Sequence, residues 1–261
     1  MADPAAEHRP EAEDTRHIGD EKLKKKKVGE KAFGRLGLAK QAIEATKKVM
    51  NFGAGNQNEA LRKTKMNSYF RLEIMRDEEC WDIAPEVQDL YDSNFDAQIA
   101  AKAEIAHGGN CGEHAWVAYH WLRVNAAGEH IQVAVKSGLD HMFTLVGDMK
   151  DPDNEIACAD AWVTKPTACL WEDHFAYEPD RAKVEDYSPI VADGKNVAAT
   201  IASGLKLSAK GLRYVDKALT DKQTDKAIAN EKVGPEGGEL AGGLHVWNNV
   251  DSASDKYNYT P

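Results

Sequence analysis

The stretch Gly108-Gly109-Asn110-Cys111-Gly112-Glu113-His114-Ala115-Trp116-Val117-Ala118-Tyr119 decides how this chain reads. A glycine-rich turn ends in a cysteine, and the cysteine opens a helix. Ala115, Ala118, Tyr119 and Leu122 fall at the three- and four-residue spacing of one buried helical face. A thiol there sits among unpaired N–H groups at the positive end of the helix dipole, which favours negative charge. The thiolate is the nucleophilic form. Glycine before it allows a tight turn and close approach of a substrate.

Two further pieces follow in order. Asp140-His141-Met142-Phe143-Thr144-Leu145-Val146 sets a histidine at the head of an apolar, strand-like run. Glu155-Ile156-Ala157-Cys158-Ala159-Asp160-Ala161-Trp162 sets an aspartate at the end of the next one. A cysteine, a histidine and an aspartate so distributed supply a nucleophile, a proton carrier and a carboxylate that orients the carrier. Asp140 directly precedes the histidine, so in a strand it points to the other face. Asp148 reads as a turn former, and Asp160 is the preferred carboxylate. Trp162 falls on the same face as Asp160, where it serves core packing or shields an Asp–His hydrogen bond from water. Glu113 suits the first turn of a helix through the dipole.

The 261 residues suffice for one well-filled domain, or for one domain with helical extensions, and 42% are hydrophobic. No apolar run approaches the ~18 residues that span a bilayer. Met1 to His8 has no apolar core of a secretory signal, so the expected location is the cytoplasm of the producing cell, with export by a specialised machine compatible with that start. Cys80, Cys111, Cys158 and Cys169 form no C-x-x-C and read as thiols of a reducing compartment. The net charge is −10, yet residues 22–48 carry ten Lys/Arg against Glu30 and Glu44. The acidic remainder argues against a nucleic-acid partner. The run Lys22 to Lys27 offers a weak contact to an anionic membrane or a partner, a solvated charge run being the plainer reading.

The expected organisation is a disordered tail over 1–28, a helical region over 29–105, a catalytic core over 106–180, a helical region over 181–233 and a loosely ordered tail over 234–261. Within the second part, 29–51 reads as a basic amphipathic helix, packed on the domain by default, with a membrane or a partner as the alternatives. Asn56 or Asn58 caps one long helix to about Arg76, and Pro85 starts another with a break near Asp92-Ser93-Asn94. Strands are expected at 130–135, 141–147 and 155–162, with short turns that favour antiparallel pairing. The aromatic-rich stretch Pro166 to Tyr177 reads as a loop and short helix. A helix is expected from Val197 to Leu219 with Gly204 and Gly211 as weak points, and Leu244, Val246 and Trp247 as an anchor in the tail.

Gly109-Asn110-Cys111-Gly112-Glu113, then Asp140-His141-x-Phe143, then Cys158-x-Asp160-x-Trp162 resemble the papain-like and transglutaminase-like cysteine enzymes. More narrowly they resemble bacterial toxin and secreted-effector members of that superfamily, such as deamidase toxins of the Pasteurella type and plant-pathogen effectors. The resemblance covers about residues 105–175. It implies an α+β fold in which the nucleophile's helix packs on a small antiparallel sheet, with extra flanking helices. It implies Cys111 as nucleophile, His141 as general base and acid, and Asp160 as the orienting carboxylate, with no cofactor and no metal. The main-chain N–H of Cys111, with Asn110 and the Gly109 turn, would polarise the substrate carbonyl beside Trp162. Papain proteases carry an oxyanion glutamine just before the cysteine, and Ala103 to Gly109 contains none. That tilts the reading toward a deamidase or transglutaminase acting on a protein glutamine or asparagine, the protein belonging to a host or a competitor. A cysteine peptidase and a non-catalytic binding module are the alternatives. A rival site, His107-x3-Cys111-x2-His114, has partial zinc spacing and lacks a clear fourth ligand.

Overall fold

The computed structural model describes residues 24–229, 238–240, 244–247 and 257–261. In chain order its elements begin with β1 (Lys24–Lys27), α1 (Glu30–Val49), α2 (Asn58–Lys63), α3 (Asn67–Arg76), β2 (Trp81–Ile83), α4 (Pro85–Ser93) and α5 (Phe95–Ala106). The middle of the chain supplies α6 (Cys111–Asn125), β3 (His130–Lys136), β4 (Met142–Val146), β5 (Ala157–Ala159), β6 (Cys169–Leu170) and β7 (Val184–Val191). Then follow α7 (Val197–Ser203), β8 (Leu205–Leu207), α8 (Ala209–Tyr214), α9 (Asp221–Ala229), β9 (Gly238–Leu240), β10 (Leu244–Val246) and β11 (Tyr257–Thr260). The chain is therefore α+β. Contacts divide it into two units, one of Lys48–Glu113 with the described part of Ala198–Val250, the other of His114–Val197 with the described parts of 14–47 and 251–261. The division falls inside α6, after its third residue.

The second unit is built on a five-stranded antiparallel sheet in the order β6-β5-β4-β3-β7. The register pairs Val133 with Thr144 and Thr144 with Ala159, so Val133, Thr144 and Ala159 share a face. Thr144 Oγ1 donates to the carbonyl of Ala115 at 2.8 Å, which fixes α6 against that face. Phe143, Leu145, Cys158 and Cys169 alternate to the other face and join Trp171, Ile156 and Val184 in a closed core. The spacing of Ala115, Ala118, Tyr119 and Leu122 identifies only part of the buried surface of α6. His114, Trp116, Val117 and His120 are buried too, so this helix is enclosed around its circumference.

Several expectations are corrected. Residues 24–27 form a strand, parallel to β11, where a disordered tail was expected. Lys26 accounts for it: its ammonium binds Glu172 at 2.7 Å and Asp173 at 2.6 Å and lies over the Tyr257 ring. The rest of the expected tail, residues 1–23, and part of 234–261 lie outside the described residues. The single helix to Arg76 is two helices, because Lys65 and Met66 take left-handed φ values of 51° and 68°. Thr64 Oγ1 turns back to the Ala60 carbonyl and ends the first one. The helix over Val197 to Leu219 is α7, β8 and α8. At Gly204 a methyl group would stand 2.4 Å from Val87 Cγ2, and β8 pairs antiparallel with β2 beyond it. Part of the aromatic stretch, Cys169–Leu170, is a strand on β5. The strand over 155–162 is shortened to Ala157–Ala159, with a 3-10 turn at Asp153–Glu155.

Other expectations hold. Pro85 opens α4 and the break near Asp92-Ser93-Asn94 separates it from α5. The tail anchor is present: Val246 and Trp247 are buried, and Trp247 exchanges main-chain hydrogen bonds with Asn56 and Asn58. All four cysteines are free thiols. Among the described residues no helix is long and apolar enough to cross a membrane.

The strand β7 was not expected. Its side chains alternate only weakly in burial, it carries Pro189, and Ser188 has φ of 50° at an irregularity in its pairing with β3. Such a strand belongs at a sheet edge. The Tyr119 hydroxyl donates to the Ser188 carbonyl at 2.7 Å and pins the bulge to α6.

Arg35 on α1 closes this unit. Only 3% exposed, it donates through Nε to Glu129 at 2.8 Å and through Nη1 to Asp151 at 2.7 Å and the Glu155 carbonyl at 2.8 Å. Burial raises the Asp151 carboxyl, but hydrogen bonds from Arg35 and Lys31 outweigh it and hold its pKa at about 2. Arg35→Ala strips a buried cation from two carboxylates and a carbonyl. The expected cost is about 3 kcal/mol, read as a lower urea midpoint at unchanged m.

Candidate active site

The turn before Cys111 is shaped by close packing. A Cβ on Gly108 would stand 2.6 Å from Arg71 Cβ, and one on Gly109 would stand 2.3 Å from Glu113 Cβ. Arg71 is itself immobilised, with Nε on Asn67 Oδ1 at 2.7 Å, Nη1 on the Ala106 carbonyl at 2.8 Å and its guanidinium over the Phe52 ring. Gly109 accepts from the Gly55 N–H at 3.0 Å. Glycine is needed at both positions because the backbone runs against a side chain.

Cys111 is the first residue of α6 and is partly exposed. Asn110 precedes it, buried, and its main-chain N–H donates to Glu113 Oε2 at 2.6 Å. A glutamate at the third helical position returning to the residue before the helix is half of a capping box. Arg76 grips the same carboxylate through Nε at 3.0 Å and Nη2 at 3.3 Å. Burial lowers the Arg76 pKa, but Glu113 and, more weakly, Cys111 and Glu73 reverse that and raise it. Glu113 therefore caps the helix and holds Arg76; the sequence suggested its dipole role and not these two bonds.

His141 and Asp160 are brought together. His141 Nε2 lies 2.6 Å from Asp160 Oδ2, with both side chains almost wholly buried. His141 stands just ahead of β4 and Asp160 just past the end of β5, and the antiparallel register of these strands brings their ends side by side. The Trp162 N–H donates to Asp160 Oδ1 at 3.1 Å. The Trp162 ring lies 4.7 Å from the His141 ring, and Phe175 and Phe143 flank it at 5.1 and 5.7 Å. Trp162 thus both packs and dries the His–Asp hydrogen bond. Asp140 is exposed and lies ahead of β4, outside the strand expected for it, while Asp148 accepts from the Lys150 N–H in a turn, as the sequence indicated. Cys111 groups by its contacts with the unit of α3 and α5, while His141 and Asp160 belong to the sheet unit.

His174 was missed. Its Nε2 lies 3.2 Å from the same Asp160 Oδ2. The residue comes from the 3-10 turn after β6, and no spacing rule marks it. Burial pushes Asp160 upward, but the charge and hydrogen bond of His141 and the hydrogen bond of His174 hold its carboxyl well below the usual range. Burial lowers the His174 pKa below 6.5, Asp160 opposes this, and His141 adds to the lowering.

His141, Asp160 and His174 are also the one group of three potential metal ligands among the described residues. Tetrahedral zinc, roughly 2.1 Å from each ligand, holds its ligands roughly 3.4 Å apart. The 2.6 Å between His141 and Asp160 is instead the length of a charge-assisted hydrogen bond. His107, Cys111 and His114 form no such group, and His107 Nδ1 lies 2.8 Å from the Val49 carbonyl.

His174 gives the site a pH signature. Its folded pKa is depressed, so the unfolded chain binds a proton first, near pH 6.5. Stability from this residue is whole above that pH and falls as the pH drops below it, by at most about 1.4 kcal/mol per pH unit. The stability difference between the wild type and His174→Gln should therefore shrink between pH 7 and 5. Urea unfolding at each pH measures it.

Compared with known proteins, the chain matches no family model, no curated protein and no solved structure.

Proposed function

We propose that the protein is a thiol-dependent acyl-transfer enzyme with a papain-like or transglutaminase-like core, acting on the side-chain carboxamide of a protein glutamine or asparagine. The His141–Asp160 hydrogen bond carries this reading. A buried imidazole with one nitrogen committed to an ionised carboxylate is held in one tautomer, so its other nitrogen moves protons. A cysteine opening a capped helix, with an arginine near it, is the matching nucleophile.

In this reading the Cys111 thiolate adds to the carboxamide carbon. The oxyanion takes hydrogen bonds from the Cys111 main-chain N–H and the Asn110 side chain. The intermediate expels ammonia, protonated by the His141 imidazolium, and leaves a thioester. Water, deprotonated by His141, gives the acid; an amine gives a cross-link. The same three residues acting on a main-chain amide would make a peptidase. The assignment to a bacterial toxin or effector rests on the resemblance of these motifs.

Alkylation by iodoacetamide between pH 5 and 9 tests the chemistry. Cys111 should react about tenfold faster than a free thiol near neutral pH, and His141→Ala should lower that rate by about tenfold, to that of a free thiol. Asp160→Asn should lower it by a smaller factor. Ammonia release from glutamine-bearing proteins without chain cleavage then supports carboxamide chemistry, and a new N-terminus in the target makes it a peptidase. If Cys111 reacts like a free thiol and ignores His141→Ala, acyl transfer is wrong and a binding module takes its place.

A further inference from the structure

We propose that His174 is a positioning residue for Asp160: a neutral imidazole that holds the carboxylate on His141 and takes a share of its charge, so that the basicity of His141 is set by two histidines competing for one oxygen.

Two hydrogen bonds fix the tautomer. The Ala176 N–H donates to His174 Nδ1 at 3.3 Å, so that nitrogen carries a lone pair and no proton. The proton of the neutral ring is then on Nε2, which donates to Asp160 Oδ2. A second proton on His174 would have to enter at Nδ1, facing an N–H, and would break the turn between residues 174 and 176. Burial among Phe143 and Phe175, with ring centroids at 4.8 and 4.6 Å, opposes the charge as well. The ionisable groups facing His174 are Asp160 and His141. Glu172 and Asp173, on its own turn, are bound by Lys26.

Asp160 thus accepts three hydrogen bonds, two of them on one oxygen. Oδ1 accepts from Trp162, and Oδ2 accepts from both imidazoles. An ionised carboxylate has no proton to give, so the proton on His141 Nε2 stays there and exchange runs through Nδ1. The shared oxygen attracts a His141 imidazolium less strongly than an oxygen reserved for it would. Without the His174 donor, the pull of Asp160 on His141 should strengthen.

This inference rests on the proposed function for its catalytic meaning, but its test does not. Histidine NMR with nitrogen-15 labelling reads tautomer and titration directly, in the full chain carrying Cys111→Ala. His174 should show the neutral, Nε2-protonated form, unchanged from pH 5 to 8. In His174→Leu the His141 titration midpoint should rise by about one pH unit. In His174→Gln, whose amide can still donate, it should stay within about 0.3 unit of the parent. A His174 protonated on Nδ1, or titrating near the ordinary histidine pH, overturns the proposal even if His174→Leu does not fold. So does an identical His141 midpoint in all three proteins. A rise of the midpoint in His174→Leu, together with a wild-type Cys111 that reacts like any free thiol, upholds this inference while the proposed function fails.

Discussion

The constraint around which the sheet unit is organised is a buried, ionised carboxylate. Asp160 is 2% exposed, and moving a carboxylate out of water costs several kcal/mol unless its lone pairs are answered. Three donors answer them, and each comes from a different local device. Trp162 supplies a main-chain N–H from the chain just past Asp160. His141 comes from the head of β4, brought there by the antiparallel register with β5. His174 comes from the turn after β6, the strand that completes that side of the sheet. Shifting β5 by one residue against β4 would turn Asp160 to the other face and leave two imidazoles with no acceptor. The polar network and the sheet register therefore specify each other.

The start of α6 answers a different requirement. The first turn of any helix has N–H groups without intrahelical partners, and it frays unless something answers them. Gly108 and Gly109 let the chain lie against Arg71 and Glu113, closer than any Cβ permits. Glu113 then serves three ends: it caps the Asn110 N–H, it accepts Arg76, and its charge suits the helix dipole. At the next turn, the Thr144 hydroxyl on the Ala115 carbonyl ties the same helix to β4, three residues beyond His141.

What was legible in the sequence follows from this. The pairing of His141 with Asp160, and the helix start at Cys111, were readable because each residue sits at the boundary of an element with a period of its own, and boundaries are where periodicity breaks. The α+β class and the antiparallel strands β3, β4 and β5 were readable for the same reason. β7 was not, because an edge strand with one wet face, a proline and a left-handed serine has no alternation to detect. Nor was the break between α2 and α3, where Lys65 and Met66 adopt a conformation that neither residue type announces. His174 is the clearest case. Its place is set by β6, a two-residue strand, and by a single 3-10 turn. Such elements are too short to carry a period, and only the partner carboxylate, 14 positions earlier in the chain, gives the histidine its meaning. A residue that acts through another is invisible to any local reading until the fold has supplied that other.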